Sequence, residues 1–288
     1  MDTMDARHHS RPAPAAVGRR DPEAWLAYLA LAAGSVAVAF PFYWMIVTAL
    51  KSPLDLFDLR LVPTHPTLDS FTEVLTRTQF PRWFGNSLLV AIATTASVAF
   101  FDSLVGYTLA KLRFPGRGLI FVMILATLMI PTEMLIIPWY IMSSARGWIN
   151  TYWGIMFPGL ISAFGIFLIR QFMQTLPNEL FEAARMDGAS ERYIFPRIVI
   201  PLVLPGIVCL SVFAFRDSWN DYFWQLIALK STAMMTFPLG VAGLLDDMVV
   251  EYGLLLAGST VASLPIIVLF LAFQRQFTAG IAMSAIKG

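Results

Sequence analysis

The 288-residue sequence has one cysteine, three histidines and little charge. Asp, Glu, Lys and Arg together make up 14%, against about 25% in an ordinary soluble domain. Each scarcity excludes something. Cys209 stands alone in an apolar run, so there is no disulfide framework and no metal-ligand spacing, and it reads as a small core residue. His8, His9 and His65 lie outside every long apolar run, which argues against a metal site or a proton relay converging between spans. A net charge of +1 with no basic patch gives nucleic acid nothing to hold. There is no G-x-x-x-x-G-K-[ST] loop to cradle a nucleoside triphosphate, and no paired constellation of the kind an intramembrane enzyme needs. No repeat, coiled coil or low-complexity linker divides residues 25–288, which read as one domain.

What is abundant is oil. Hydrophobic residues make up 57%, and mean hydropathy is +0.67. A helix needs about 20 apolar residues to cross the hydrocarbon core. Six runs approach that length: Trp25 to Leu50, Trp83 to Phe101 extended to Ala110, Leu119 to Ser144, Gly147 to Ile169, Ile198 to Phe215 and Tyr252 to Gln274. Pro131, Glu133 and Pro138 interrupt the third. Tyr222 to Leu229 is too short to cross and is expected at the interface or against the bundle. The expectation is an all-α membrane protein of six transmembrane helices. With both termini inside, the inner segments hold thirteen Lys and Arg against six outside, so both termini are expected in the cytoplasm. Residues 1–24 are polar, lack the apolar core and cleavage site of a secretory signal, and read as a disordered cytoplasmic tail. The outer loops span 51–82 and 218–251.

The inner loop 170–197 is too long for a tight connection and too patterned for a floppy one. Pro177 suits a first helical turn, and Glu179 and Glu182 suit the positive end of a helix. Leu180, Phe181 and Ala184 share a face, Glu182 stands roughly opposite, and Arg185 lies at the border. Gly188 follows Asp187 where a left-handed cap would end the helix, and Ser190 offers a new N-cap. Two short helices with a sharp turn between them are predicted. Such an element either docks in a groove of a soluble partner or lies on the headgroups.

"EAARMDG", nine residues, then "IVIP" resembles the EAA loop of ABC importer membrane subunits, E-A-A-x-x-x-G-x9-I-x-L-P. Glu182, Ala183, Ala184, Gly188, Ile198 and Pro201 match; Ile200 replaces the usual Leu, and Pro196 is a departure ahead of the fifth span. "GYTLAKLRFPGRG", "GWINTYWGIMFPGL", "SWNDYFWQLI", "TFPLG" and "QRQFTAGIAMSAIKG" resemble the carbohydrate-uptake branch, in particular its shorter, maltose-permease-G-like membrane subunit. The resemblance covers Trp25 to Gly288. It implies the type I permease fold with a cytoplasmic coupling helix, no catalysis by this chain, and ATP and magnesium held on separate ATPase subunits. It also implies a heterodimer with a second permease subunit, two ATP-binding cassette subunits, an external substrate-binding protein, and a place in the bacterial inner membrane. Glu182, Ala183, Ala184, Arg185, Asp187, Gly188 and Pro201 would form the ATPase-coupling element, with Glu182 facing a basic group and the alanines permitting close packing.

For the solute path, ionisable groups in or beside spans are the default candidates: Asp102, Glu133, Arg216 and Asp217. Trp219, Tyr222, Phe223 and Trp224 either stack on a sugar ring, with Asn220 and Asp221 accepting hydroxyl hydrogen bonds, or form an interfacial aromatic belt. Phe237, Pro238, Asp246 and Asp247, in the loop from Ser231 to Glu251, resemble the external loop reaching toward the binding protein, and Gly280 to Gly288 a segment reaching toward the ATPase pair. Prolines and glycines within the spans either serve alternating access or are tolerated kinks. A permease for a non-sugar solute such as glycerol phosphate is the alternative, and an ATP-independent secondary transporter a more distant one.

Overall fold

The computed structural model describes residues 22–244 and 252–285. All the regular structure in them is helical. In chain order the helices are α1 (Pro22–Ala49), α2 (Asp69–Thr76), α3 (Phe80–Lys111), α4 (Arg117–Thr127), α5 (Ile136–Ala145), α6 (Tyr152–Met156) and α7 (Ala163–Gln174). They continue with α8 (Asn178–Met186), α9 (Glu191–Ile194), α10 (Ile200–Leu202), α11 (Leu204–Asn220), α12 (Phe223–Ala228), α13 (Phe237–Gly243) and α14 (Tyr252–Ala285). Of the expected tail 1–24, residues 1–21 lie outside the described residues, and residues 22–24 open α1. The chain forms two units, divided between Trp44 and Met45. In the first, an apolar helical stretch exposes its side chains, and Phe40 stacks on Trp44 at 6.1 Å.

In the second unit α3 is the central helix. Among the described residues, three uninterrupted helices, α1, α3 and α14, are long and apolar enough to cross a membrane, and the total reaches six when three bent pairs are each taken as one span. The bends follow backbone chemistry. Pro131 is extended (φ −57°, ψ 133°) between α4 and the short 3-10 turn Thr132–Leu135, and the two halves of the third span meet at 94°. Proline disfavours a helical residue before it and brings no N–H, so the helix stops there. The fourth span bends by 44° after the 3-10 turn Phe157–Gly159, and Ser162 restarts it by accepting from Gly165 N at 3.2 Å.

The fifth span differs most from expectation. The apolar run begins at Ile198, but α11 starts at Leu204; Glu191–Leu202 forms a separate helical stretch at 79° to it. Pro196 does not end that stretch. It sits in a π turn, Phe195–Val199, where the Ile200 amide donates to Phe195 O five residues back, and this wider turn accepts a residue without an N–H. Likewise, α7 runs to Gln174, so the connecting loop begins later than residue 170.

Three apolar clusters hold the second unit. One joins α3, α11 and α14 through Phe80, Trp83, Phe215, Trp219 and Ala257. Another joins α3, α7, α8 and α11 through Tyr107, Ile169, Phe172, Phe181 and Leu210. The third packs α12 on α5 and α6, with Trp224 against Trp139 at 5.7 Å; the stretch from Tyr222 therefore lies against the bundle. Small residues set the closest approaches. A Cβ at Gly106 would stand 3.0 Å from Ile169, and one at Gly165 would collide with the Asp102 carboxylate.

Candidate functional site: the α8–α9 turn and the cavity beside α11

Pro177 is extended at the N-cap position (φ −60°, ψ 139°), one place before the helix rather than in its first turn, and α8 begins at Asn178. Glu179 in the first turn and Arg185 in the last both suit the helix dipole. The end is a Schellman cap: Gly188 N donates to Arg185 O and Ala189 N to Ala184 O, both at 3.0 Å. Gly188 has φ +80°, and a Cβ there would meet nothing within 4 Å, so the glycine is required by backbone angle rather than by space. Ser190 then opens α9 through its carbonyl, which accepts from Tyr193 N and Ile194 N at 2.9 Å; its side chain makes no cap bond.

The turn has two faces. Phe181, 1% exposed, and Ala184 pack inward, with Phe181 tilted against Tyr107 at 6.1 Å. Lys111 Nζ lies 5.0 Å from the Phe181 ring and donates to Leu176 O at 2.7 Å and Asn178 Oδ1 at 2.9 Å, tying the end of α3 to the start of α8. Outward stand Glu182, Ala183, Asp187, Gly188 and Met186, the last 88% exposed. Leu180, expected to face in, is 41% exposed. Arg185 Nε donates to Glu191 Oε1 at 2.8 Å, and this bond raises the guanidinium above its ordinary value. The same carboxylate accepts the Tyr107 hydroxyl at 2.5 Å. Pro201 is exposed on α10, apart from the turn.

A cavity of about 420 Å³ opens beside α11. Glu133, Asp217 and Asp221 line it with Phe213, Phe223 and Ser218, and none of its lining residues is Lys, Arg or His. Burial pushes the Asp221 carboxyl up to about 6, partly opposed by the Trp224 amide. Arg216 lies outside the lining and pairs with Asp217 at 3.5 Å on an exposed surface. Asn220 is exposed at the end of α11, its amide donating to Arg216 O at 2.9 Å.

Trp219 is not available to a solute. It is 1% exposed, stacked on Phe215 at 5.7 Å and Phe237 at 6.0 Å, with Phe84 edge-on at 5.3 Å. Phe237 is likewise turned toward the core rather than presented as an outer-loop contact, and Pro238 follows it in the first turn of α13. Asp246 and Asp247 lie outside the described residues. Asp102 is fully buried and accepts from Ser162 N at 3.1 Å, capping α7 instead of facing a path.

Residues 102–282, which include this turn, match a known family described as the binding-protein-dependent transport system inner membrane component. The chain belongs to this family. It is 35% identical over 269 residues to the arabinooligosaccharides transport system permease protein of Halalkalibacterium halodurans, covering 92% of this chain and 96% of that one. It is 33% identical over 253 residues to the lactose transport system permease protein of Rhizobium radiobacter, covering 88% and 93%. It shares its fold with a chain of a bacterial ABC transporter involved in the import of the acidic polysaccharide alginate, with a TM-score of 0.82, 20% identity, and 91% of this chain and all of that one covered. This inner-membrane component thus has the ABC importer permease fold.

Three residues of the turn's frame escape the motif: Tyr107, Lys111 and Glu191. Tyr107 and Lys111 stand in "GYTLAKLRFPGRG", a segment that sequence reasoning reaches only through its resemblance. A tyrosine and a lysine at the end of a span, and an acid in the first turn of the helix that follows the turn, were the available signals.

Proposed function

We propose that this chain is one permease half of an ATP-driven importer for a sugar or sugar-related solute, coupled to its ATPase through α8. The observation that carries the reading is the division of α8: Phe181 and Ala184 anchor it to the bundle, while Glu182, Ala183 and Met186 are exposed on a helix that a Schellman cap ends. A helix presenting a carboxylate, a small residue and a flexible apolar knob is shaped for a groove on a soluble protein. The two alanines thereby take different parts, Ala184 packing inward and Ala183 offering close approach to the partner.

In this reading two ATP-binding cassette subunits hydrolyse ATP, a second permease subunit completes the path, and an external binding protein delivers the solute. This chain binds no nucleotide and catalyses no reaction. In the same reading both termini are cytoplasmic, which the Lys/Arg bias favours, and residues 25–288 work as one permease domain with the tail 1–24 outside it. Glu133, Asp217, Asp221 and Phe223 are the path candidates that remain once Trp219 is assigned to the core. The relatives named for arabinooligosaccharides and lactose favour a neutral glycan. Glycerol phosphate is the second reading, and the cavity disfavours it: its lining holds carboxylates and no Lys, Arg or His, and Arg216, outside the lining, is paired with Asp217.

The deciding experiment is co-purification of Glu182→Lys and Met186→Asp with the ATPase subunits. Loss of the ATPase with normal membrane insertion is expected; full recovery with solute-stimulated ATP hydrolysis would sink the assignment.

A further inference from the structure

Beside α8 lies a second cleft, of about 660 Å³, walled on its other side by residues 110–117 between α3 and α4. Four cations line it, Lys111, Arg113, Arg117 and Arg185, against two carboxylates, Glu182 and Glu191. Glu191 is already occupied by Arg185 and the Tyr107 hydroxyl. Lys111 is held by carbonyl oxygens, and Arg117 donates to Leu112 O at 3.0 Å. Arg113, exposed, has no hydrogen bond or ion pair among the described residues. The cleft therefore keeps a net positive charge with an uncommitted guanidinium at its edge. Next to it α4 starts at Gly116 (φ +81°) with no side-chain cap, adding the positive end of an 11-residue helix.

The surroundings say what kind of anion fits. From Arg117, the last α4 residue on the cleft wall, onward α4 has no buried residue, and Leu119, Ile120, Val122 and Met123 are exposed, so an apolar helix face follows the cleft within one turn. A basic site at the end of a span, continuous with an oily face, suits a molecule that has a phosphate and a hydrocarbon tail together.

We propose that this cleft binds the phosphate headgroup of an anionic phospholipid between Arg113, Arg117 and Lys111, with the acyl chains lying along α4. Free phosphate shares the headgroup's chemistry but has no use for the apolar face. Because Lys111 also holds Leu176 and Asn178, a headgroup in the cleft sits on the frame that orients α8. Occupancy is then expected to tune coupling, a consequence that rests on the reading of α8 as the coupling helix; the binding itself does not.

The test uses the full chain assembled with its transporter subunits in nanodiscs of phosphatidylcholine alone or mixed with phosphatidylglycerol, with retained lipid read by native mass spectrometry and stability by melting temperature. Phosphatidylglycerol is expected to be retained and to raise the melting temperature, because it binds the folded state. Arg113→Ala should weaken retention by about fivefold and Arg113→Ala/Arg117→Ala by about 25-fold, since each cation near an anionic headgroup contributes roughly that factor. Arg82→Ala, an exposed cation at the other end of α3, should change nothing. The exposed Arg113→Gln variant keeps the question answerable should the double variant misfold. Unchanged retention in the Arg113 variants would overturn the proposal. So would an equal melting shift from inorganic phosphate, which would make the cleft a simple anion site, or displacement of the lipid when the ATPase subunits bind, which would assign it to a protein surface. Lipid retention intact alongside lost ATPase docking in Met186→Asp, a position outside the cleft lining, would support the lipid site independently of how α8 is read.

Discussion

The hydroxyl of Tyr107, near the end of α3, donates to Glu191 at the start of α9 at 2.5 Å, across 84 residues of chain. The helix after the turn is thus fastened to a span that precedes the turn. Tyr107→Phe removes a bond to a charged acceptor, typically about 1.5–3 kcal/mol, while Arg185 still satisfies the carboxylate. A loss near the lower end of that range is expected in thermal melts. A cycle with Arg185→Ala should show coupling between the two sites; strict additivity would show that they act separately.

Gly188 makes a sharper prediction. Its φ of +80° costs a side chain about 1–2 kcal/mol, and since a Cβ there meets nothing, no steric term is added. Gly188→Ala should lower stability by that amount with the ATPase still recoverable, and Gly188→Asn by less. Gly188→Pro, with φ locked near −65°, should dismantle the cap and abolish ATPase recovery while membrane insertion persists.

Trp219→Ala should cost about 3–5 kcal/mol because it empties a site between Phe215, Phe237 and Phe84. Trp219→Phe should be far milder and leave solute preference unaltered. Phe223→Ala and Asp217→Asn, on the cavity wall, should do the reverse: change the apparent affinity for solute in uptake assays with little shift in melting temperature. A change of preference in Trp219→Phe would return that residue to the path.

Asp221 predicts a pH dependence. Its carboxyl is raised by burial from 3.8 to about 6, so between those values the folded chain binds more proton than the unfolded one. Its contribution is therefore fully present below about pH 4 and is lost as pH rises through about 6. Melting curves across that window should show wild-type stability falling with pH relative to Asp221→Asn, which lacks the group; parallel curves would refute the assignment.

Much of the turn could be read from sequence because its determinants are local. Asp187-Gly188, the spacing of Phe181 and Ala184, and the start of a helix after Ser190 all act within one or two turns of chain. The six spans were legible for a similar reason, since apolar length is a property of contiguous residues. Trp219 misled because its burial is decided by Phe84 and Phe237, neither near it in sequence. Leu180 faces out because tertiary packing at α8 selects Phe181 and Ala184 and leaves their neighbour at the rim. The bend at Val203 had flanking prolines, Pro201 and Pro205, as its only signal, and prolines in a span do not state an angle. The frame of the site, Lys111 and Tyr107 reaching α8 and α9, depends on helix packing that no local pattern encodes.

The stretch Glu191–Leu202, set at 79° to α11, works geometrically as a crank. Its 12 residues reach about 18 Å at 1.5 Å per residue, so a rotation of about 10° at Val203 sweeps its far end through about 3 Å. Glu191 sits at that far end, bonded to Arg185 of α8. If α8 couples as proposed, a push on it would arrive at α11 as torque, resisted by the Tyr107 bond that ties the same carboxylate to α3, and the elbow at Val203 would set the gear ratio.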